Sequence, residues 1–417
     1  MHSNYKRLGD YISQVNNRNK DLVTLDLRGL SMSKEFRKST SNIVGTDLSK
    51  YKLVAKNQFA CDFMSVIRVH KLPVVLHIED KPVIVSGAYT VFEVINEKRL
   101  LPEYLMMWFR RPEFDRYADF KCDSAIRGGF KWDELCEVEL PIPSIEKQLE
   151  IVKEYNTVTN RIKLNEQLNQ KLEETAQALY KHWFVDFEFP NKEGKPYKSS
   201  GGEMVFNDEL DKEIPAGWRV GRLNNLCSKI SSGSTPQGGK DEYKESGISL
   251  IRSMNVYDFN FKYDDLAFID DSQADKLKNV TIEPNDILFN ITGASVARCC
   301  LVPNEILPAR INQHIMMIRP DLSLNITYYL LCNLCSDESK THLVGVSESG
   351  STRQAITKSD LQNHSVILPS SEVLELFESY CQKLFENRKS QEFSIFEELQ
   401  SLLLAKMTQV EPKTASV

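Results

Sequence analysis

From Ile151 onward one series of positions recurs at alternating steps of four and three: Ile151, Tyr155, Val158, Ile162, Asn165, Asn169, Leu172, Ala176, Leu179 and Trp183. This is the heptad of a helix that packs along its length on another helix. No Pro or Gly interrupts the stretch between Ile145 and Phe189. The spacing therefore predicts a single helix of about 36 residues, roughly 54 Å long at 1.5 Å per residue. Helices of globular domains average about three turns, so a rod of this length needs a long partner. The two Asn in mid-seam weaken the apolar contact, but they can fix its register and its partner.

The partner is predicted within the same chain, because the sequence is written twice. At an offset of 226, SAIRGGFKWDEL (Ser124 to Leu135) lies over GSTRQAITKSDL (Gly350 to Leu361), and Arg127 meets Arg353. Pro143-Ser144 meets Pro369-Ser370, and each pair leads through an acidic residue, Glu146 or Glu372, into a Leu/Glu/Lys-rich helix. The second seam runs through Phe377, Cys381, Leu384, Arg388, Gln391 and Ile395, with Gln391 over Asn165. Asn165, Asn169 and Gln391 are thus candidates for a register lock. Upstream, VAKNQFA (Val54 to Ala60) resembles IEPNDIL (Ile282 to Leu288), LPEYLMMWF before Arg110 resembles LNITYYLLCNL, and KRLGDYI resembles GRLNNLC.

The expected order is globular unit, long helix, globular unit, long helix. In numbers this gives a first unit over 1–143, a central helix over 144–187, a linker and second unit over 188–369, a C-terminal helix over 370–410 and a flexible tail over 411–417. Within each unit the texture is of short strands, as in KPVIVSGAYTVFEVIN (Lys81 to Asn96), Ile287 to Ile291 and His314 to Ile318. A short helix follows in each, Glu103 to Arg111 and Thr327 to Cys335. The predicted class is α+β: two similar domains with curved, short-stranded sheets, separated by two long antiparallel coiled-coil helices. PNKEGKPYKSSGG (Pro190 to Gly202) has the composition of a linker.

A length of 417 residues is enough for two or more domains. Nine scattered Cys suit a reducing cytosol, hence a cytoplasmic protein, better than a disulfide framework. No stretch reaches 18 apolar residues, so no membrane span is expected. The net charge of −6 argues against indiscriminate nucleic-acid binding, yet it is uneven. Residues 1–143 hold 22 Lys/Arg against 19 Asp/Glu, and residues 188–370 hold 19 against 24. DNA contact would need local basic faces, or a partner that supplies phosphate contacts.

Catalytic motifs are missing. There is no phosphate loop, no dinucleotide fingerprint and no acidic-Pro-Pro-aromatic motif of the kind that holds a methylation target. Glu79-Asp80-Lys81 offers half of a nuclease site and reads better as a hairpin turn. Cys332-x-x-Cys335 has no second ligand pair for zinc and reads as buried thiols; no metal site is expected, and His314 is expected to face the core or cap a turn. What remains is a reader or a scaffold. In the second unit the candidate DNA contacts are Ser232, Ser234 and Thr235 of SSGSTP, Arg252 and Asn255, Thr292 and Ser295 with Arg298 beyond, and Arg310, Asn312 and Gln313. In the first they are Arg28, Lys34, Arg37, Lys38, Lys56, Arg68, His70 and Lys71. Arg127 and Arg353 are expected to hold the domain–helix junctions.

Taken together, the chain resembles the specificity subunit of type I restriction–modification enzymes over nearly its whole length. The resemblance is carried by FKWDELCEVELPIPSIEKQ and ITKSDLQNHSVILPSSEV, by LYKHWFVDFEFPNKEGKPYKSSGGEMV and EIPAGWRVGRLNNLC, and by SSGSTP, DILFNITGAS and INQHIMMIRP. It implies a non-catalytic subunit whose two target-recognition domains each read one half of a bipartite double-stranded DNA site. It also implies helices that set the spacing and dock two methyltransferase subunits, with restriction and translocation subunits joining later. S-adenosylmethionine, ATP and Mg would be held by those partners and not by this chain. The alternatives are a repeat scaffold for protein assembly, or a stand-alone nuclease or methyltransferase. The first unit departs from the second: it has no clear equivalent of NITGAS, and Ser86-Gly87 stands where Asn312-Gln313 would repeat.

Overall fold

The computed structural model describes residues 5–39, 45–123, 130–348, 355–388 and 390–408. The chain forms two compact units, one of residues 1–166 with 389–417, the other of residues 167–388.

In the first unit, strand Tyr5–Arg7 pairs antiparallel with Glu139–Pro141. The main sheet has four antiparallel strands in the order Ile12–Val15, Thr90–Val94, Gln58–Cys61 and Val74–Leu76. Phe59 lies directly across from Phe92, and the rings stack at 4.8 Å. Phe109, from helix Pro102–Arg110, meets both edge-on at 5.8 and 6.2 Å. Rings of this size each contribute roughly 1.5–3 kcal/mol on burial, so this triad anchors helix to sheet. Val152, Tyr155 and Val158 of the long helix join the same core, with Leu403 and Leu404 from the last helix and Met407 just beyond it. Thr159 and Gln400 hydrogen-bond at 2.8 Å alongside them.

The second unit repeats the plan. Arg219–Arg222 pairs with Ser365–Leu368. The main sheet runs Cys227–Ser232, Ile315–Pro320, Ile287–Asn290, Cys299–Leu301, all antiparallel. Beside it lies a second sheet in which Ile248–Ile251 runs parallel to Ala309–Ile311. Its counterpart in the first unit is smaller: hairpin Arg28–Leu30 with Phe36–Lys38, pair Lys52–Val54 with Val83–Val85, and a parallel bridge from Leu27 to Ile84 joining the two. The duplication reaches single residues. Asn57 and Asn285, equivalent by the alignment above, both turn through left-handed backbone, with φ of 64° and 70°. Asn tolerates that region better than most residues.

The long helix spans Ile145–Tyr180, 36 residues, and widens into a π turn over Lys181–Val185, where Asp186 N–H donates to the Lys181 carbonyl. Along the seam, Tyr155, Val158, Asn165, Ala176 and Trp183 are buried, and Ile151, Ile162, Asn169, Leu172 and Leu179 are half-buried. Of the residues expected to form a register lock, Asn165 is buried and Asn169 half-buried, and the side chain of Gln391 lies outside the described residues.

The C-terminal helix is not one rod. It forms Ser371–Glu386 and Ser390–Lys406. Asn387 ends the first segment, its side-chain amide donating to the Lys383 carbonyl at 2.7 Å. Arg388 leaves the helix to donate to the Phe259 carbonyl and to Glu173 of the long helix. The first segment packs on the long helix through Phe377 and Tyr380, whose rings lie 5.9 and 6.0 Å from Trp183.

The expected linker is folded into the second unit. Phe189 stacks on Tyr197 at 4.5 Å and on Trp218 at 4.7 Å, and Tyr197 N–H donates to the Phe189 carbonyl. Its Gly and Ser residues form tight turns around this aromatic stack.

Candidate nucleic-acid interface

Antiparallel order brings the predicted second-unit loops to one end of the main sheet. Ser232 ends its strand opposite Met316, and Asn290 ends its strand opposite Ile315. The segments 232–236, 291–298 and 312–314 therefore form one rim. Gly233 is pressed on the last of these: a Cβ there would lie 2.2 Å from the Asn312 carbonyl oxygen. Its N–H donates to the Ile315 carbonyl, and that of Ser234 to Ile311.

Side chains then tie the three segments together. Thr235 bonds to the Gln313 amide. The Gln313 Nε2 donates to His314 Nε2 at 3.1 Å, and His314 Nδ1 lies 2.7 Å from the Thr292 hydroxyl. The tautomer consistent with both contacts carries its proton on Nδ1, which donates to Thr292. His314, expected in the core or at a cap, is half-buried at the centre of this relay. Ser232 is exposed, and Ser234 and Ser295 are half-exposed, on the same rim.

Arg298 is half-buried with its guanidinium over the Tyr257 ring at 4.7 Å, and Lys262 approaches the same ring at 4.5 Å. Arg252 lies over Tyr243 at 5.6 Å and donates to the Asp265 carbonyl. Neither Tyr was singled out in the sequence; nothing local marks a Tyr as a platform for a distant cation. Three predicted contacts are corrected. Asn255 is fully buried, its amide donating to the carbonyls of Lys262 and Asp264 while its oxygen accepts from Arg252 N–H. Arg310 is buried, donating to the Ala274 and Ala309 carbonyls. Asn312 is buried and accepts from His314 N–H at 3.1 Å. All three are buried and hold loops in shape.

The first unit has a corresponding rim. The loop in the position of NITGAS is Asp62 to Pro73, joining strands Gln58–Cys61 and Val74–Leu76; it shares no residue pattern with NITGAS and contains a short helix Val66–Val69. Ser86 to Tyr89 precedes strand Thr90–Val94 as 312–314 precedes its own strand. Arg68, His70 and Lys71 are exposed on the longer loop; His70 pairs with Asp119 at 2.9 Å, and Arg68 reaches Ser65. Arg37 and Lys38 are exposed on the hairpin. Arg28, opposite Lys38, is clamped bidentately by Asp26 at 2.6 and 2.7 Å, which holds that carboxyl below its ordinary range. Lys56 pairs with Asp80, which places the Glu79-Asp80-Lys81 stretch in an exposed ion pair.

Lys34 is a further correction. It is 4% exposed, in left-handed backbone, and its ammonium binds Asp115 at 2.8 Å and the Phe109 carbonyl. Burial pushes it below the ordinary lysine range against the pull of Asp115. It is an internal tie. Arg127 and Arg353 lie outside the described residues.

Two other features bear on chemistry. A cleft of about 900 Å³ in the first unit mixes Arg110, Arg116 and Lys163 with Asp119, Glu166 and Glu397, so its walls present no field of one sign. In the second unit, Asp258, Cys299 and Cys335 bring donor atoms within 4.8 Å of one another. Lys340 occupies that carboxylate at 2.5 Å, and burial drives the Cys299 thiol up, so the carboxylate is already held in an ion pair. No helix among the described residues is long and apolar enough to cross a membrane.

Comparison with known proteins adds to this geometry. The model of the family described as type I restriction modification DNA specificity domain matches residues 75–174 and 215–389. The chain is 27% identical over 318 residues to the type I restriction enzyme MjaIX specificity subunit of Methanocaldococcus jannaschii, covering 75% of this chain and 70% of that one. It is 24% identical over 379 residues to the HindI specificity subunit of Haemophilus influenzae, covering 78% and 80%. Its fold is like that of a type I restriction–modification S subunit from M. genitalium, with a TM-score of 0.57 over 98% of this chain and 96% of the other at 12% identity.

Proposed function

Because the chain belongs to the family of type I restriction–modification DNA specificity domains, we propose that it reads a bipartite DNA site, one half with each unit, for a multisubunit restriction–modification enzyme. The observation that carries this reading is the pairing of identical strand order with different rims. One rim holds Thr235, Thr292, Gln313 and Arg298; the other holds Arg37, Arg68 and Lys71. Two like scaffolds with unlike rims suit two unlike half-sites. Joining them in one chain makes the second binding event intramolecular, which raises avidity without new contacts.

Catalysis then belongs to partners. S-adenosylmethionine would be held by two methyltransferase subunits, and ATP with Mg by the restriction and translocation subunits. The flanks of the helices are the proposed docking surface for the methyltransferases. In the first unit Leu149, Leu164, Ile395 and Leu402 are all more than half exposed on helices, where a solvated face would carry charge. Partner subunits would also supply phosphate contacts that a chain of net charge −6 lacks.

Footprinting tests this directly. The chain with its methyltransferase partner is expected to protect two separated DNA segments. Replacing either unit with an unrelated domain should abolish protection of the bipartite site. Full protection after such a replacement, or no protection by the intact complex, would favour a repeat scaffold with no DNA role.

A further inference from the structure

Resting on that DNA-reading function, we infer that the relay Thr235–Gln313–His314–Thr292 grips the DNA backbone and does not read bases. The rim around it is built for close approach. Ser232-Gly233-Ser234-Thr235 and Thr292-Gly293-Ala294-Ser295 carry no side chain longer than threonine. Gly233 has no room for a Cβ, while at Gly293, with φ of 74°, the Cβ direction is open. Short hydroxyls meet phosphate oxygens at the surface of a duplex, whereas a base edge lies about 8.5 Å down the major groove. The longest side chain in the relay is Gln313. Thr235 and His314 tie its amide back along the rim, which opposes extension into a groove.

The donor count points the same way. Thr235 O–H donates to the Gln313 oxygen, Gln313 N–H to His314 Nε2, and His314 Nδ1–H to the Thr292 oxygen. The Thr292 hydroxyl proton and the second Gln313 N–H remain for a ligand, and both suit an anionic oxygen. The first-unit counterpart, Ser86-Gly87-Ala88-Tyr89, has neither the amide nor the imidazole. Its grip must come from cations such as Arg68 and Lys71. The second unit thus holds the backbone largely with uncharged donors, and the first with charge.

The test compares Q313A, T292V and T292S in the complex with its methyltransferase partner. The probes are a duplex carrying the methylated site and a scrambled duplex of equal length. Q313A and T292V should each weaken both duplexes by the same factor, roughly tenfold for a lost charge-assisted hydrogen bond. T292S should restore wild-type affinity. The slope of log K against log salt should stay unchanged in these variants, and should fall by about 1 for an R68A variant that loses a phosphate contact. The methylated sequence should be unchanged throughout. Relaxation of one base position in Q313A would make it a base reader, and unchanged affinity in both variants would remove the relay from the interface; either overturns the inference. Thermal unfolding of each variant separates lost contacts from lost fold. If the wild-type complex itself fails to distinguish the two duplexes, the DNA-reading function fails and not the relay alone.

Discussion

Replacing Arg388 with alanine is expected to destabilise the second unit by about 2–3 kcal/mol, the range for charged hydrogen bonds and below that for a fully buried ion pair, because this pair is only part-buried. The guanidinium is 14% exposed and the Glu173 carboxylate 21%. Burial already raises that carboxyl above its ordinary range, and Arg388 is the largest influence opposing the rise. Without Arg388 the carboxylate is left in the same surroundings with no cation. The Phe259 carbonyl and Asn260 side chain lose donors as well. R388K should recover only part of the loss, since an ammonium cannot serve three acceptors in one plane. In urea unfolding, the double variant R388A/E173Q should be more stable than R388A alone. Equal stability of R388A and wild type would show that the break between the two C-terminal helical segments is not held by this pair.

The second large effect is a pH dependence set by Glu378. This carboxylate is buried and accepts the N–H groups of Tyr328 at 3.1 Å and Tyr329 at 2.6 Å, at the start of helix Thr327–Cys335. Burial pushes it from 4.5 up to about 7 against those two donors. Between these values the folded chain binds more protons than the unfolded one, so this group's contribution to stability falls as pH rises from about 4.5 to 7. The size is roughly 3.5 kcal/mol at about 1.4 kcal/mol per pKa unit. His364 works in the opposite sense. It is buried against Asn333, and burial lowers it from 6.5 to about 4, so its contribution rises as pH climbs through that window. The two nearly cancel in the wild type, whose melting temperature should be level between pH 4.5 and 6.5. In E378Q the His364 slope is exposed, and stability should climb with pH across the same range. A level profile in E378Q would contradict this assignment.

The long seam was legible because a heptad is a purely local pattern, and its inward positions are buried or half-buried. The duplication was legible to the level of Asn57 and Asn285, since left-handed turns demand particular residues. What escaped the sequence was set by distant partners. Arg388 occupies a seam position in a helix-forming stretch, yet Glu173 and the Phe259 carbonyl draw it out and split the helix. Lys34, Asn255 and Arg310 look like surface readers until Asp115, two loop carbonyls and the Ala274 carbonyl are placed around them. The first-unit counterpart of NITGAS was hidden because a helical loop replaces a tight turn, so strand order aligns what residue identity does not. The linker over Pro190 to Gly202 was misjudged by composition, which cannot show that Phe189, Tyr197 and Trp218 stack.

The central claim is that each unit reads its own half of one site. Methylome sequencing of a host tests it when residues 215–370 are exchanged for the matching segment of a relative with a different target. The methylated motif is expected to change in one half only, with the other half retained. A motif that changes in both halves, or in neither, would contradict the account.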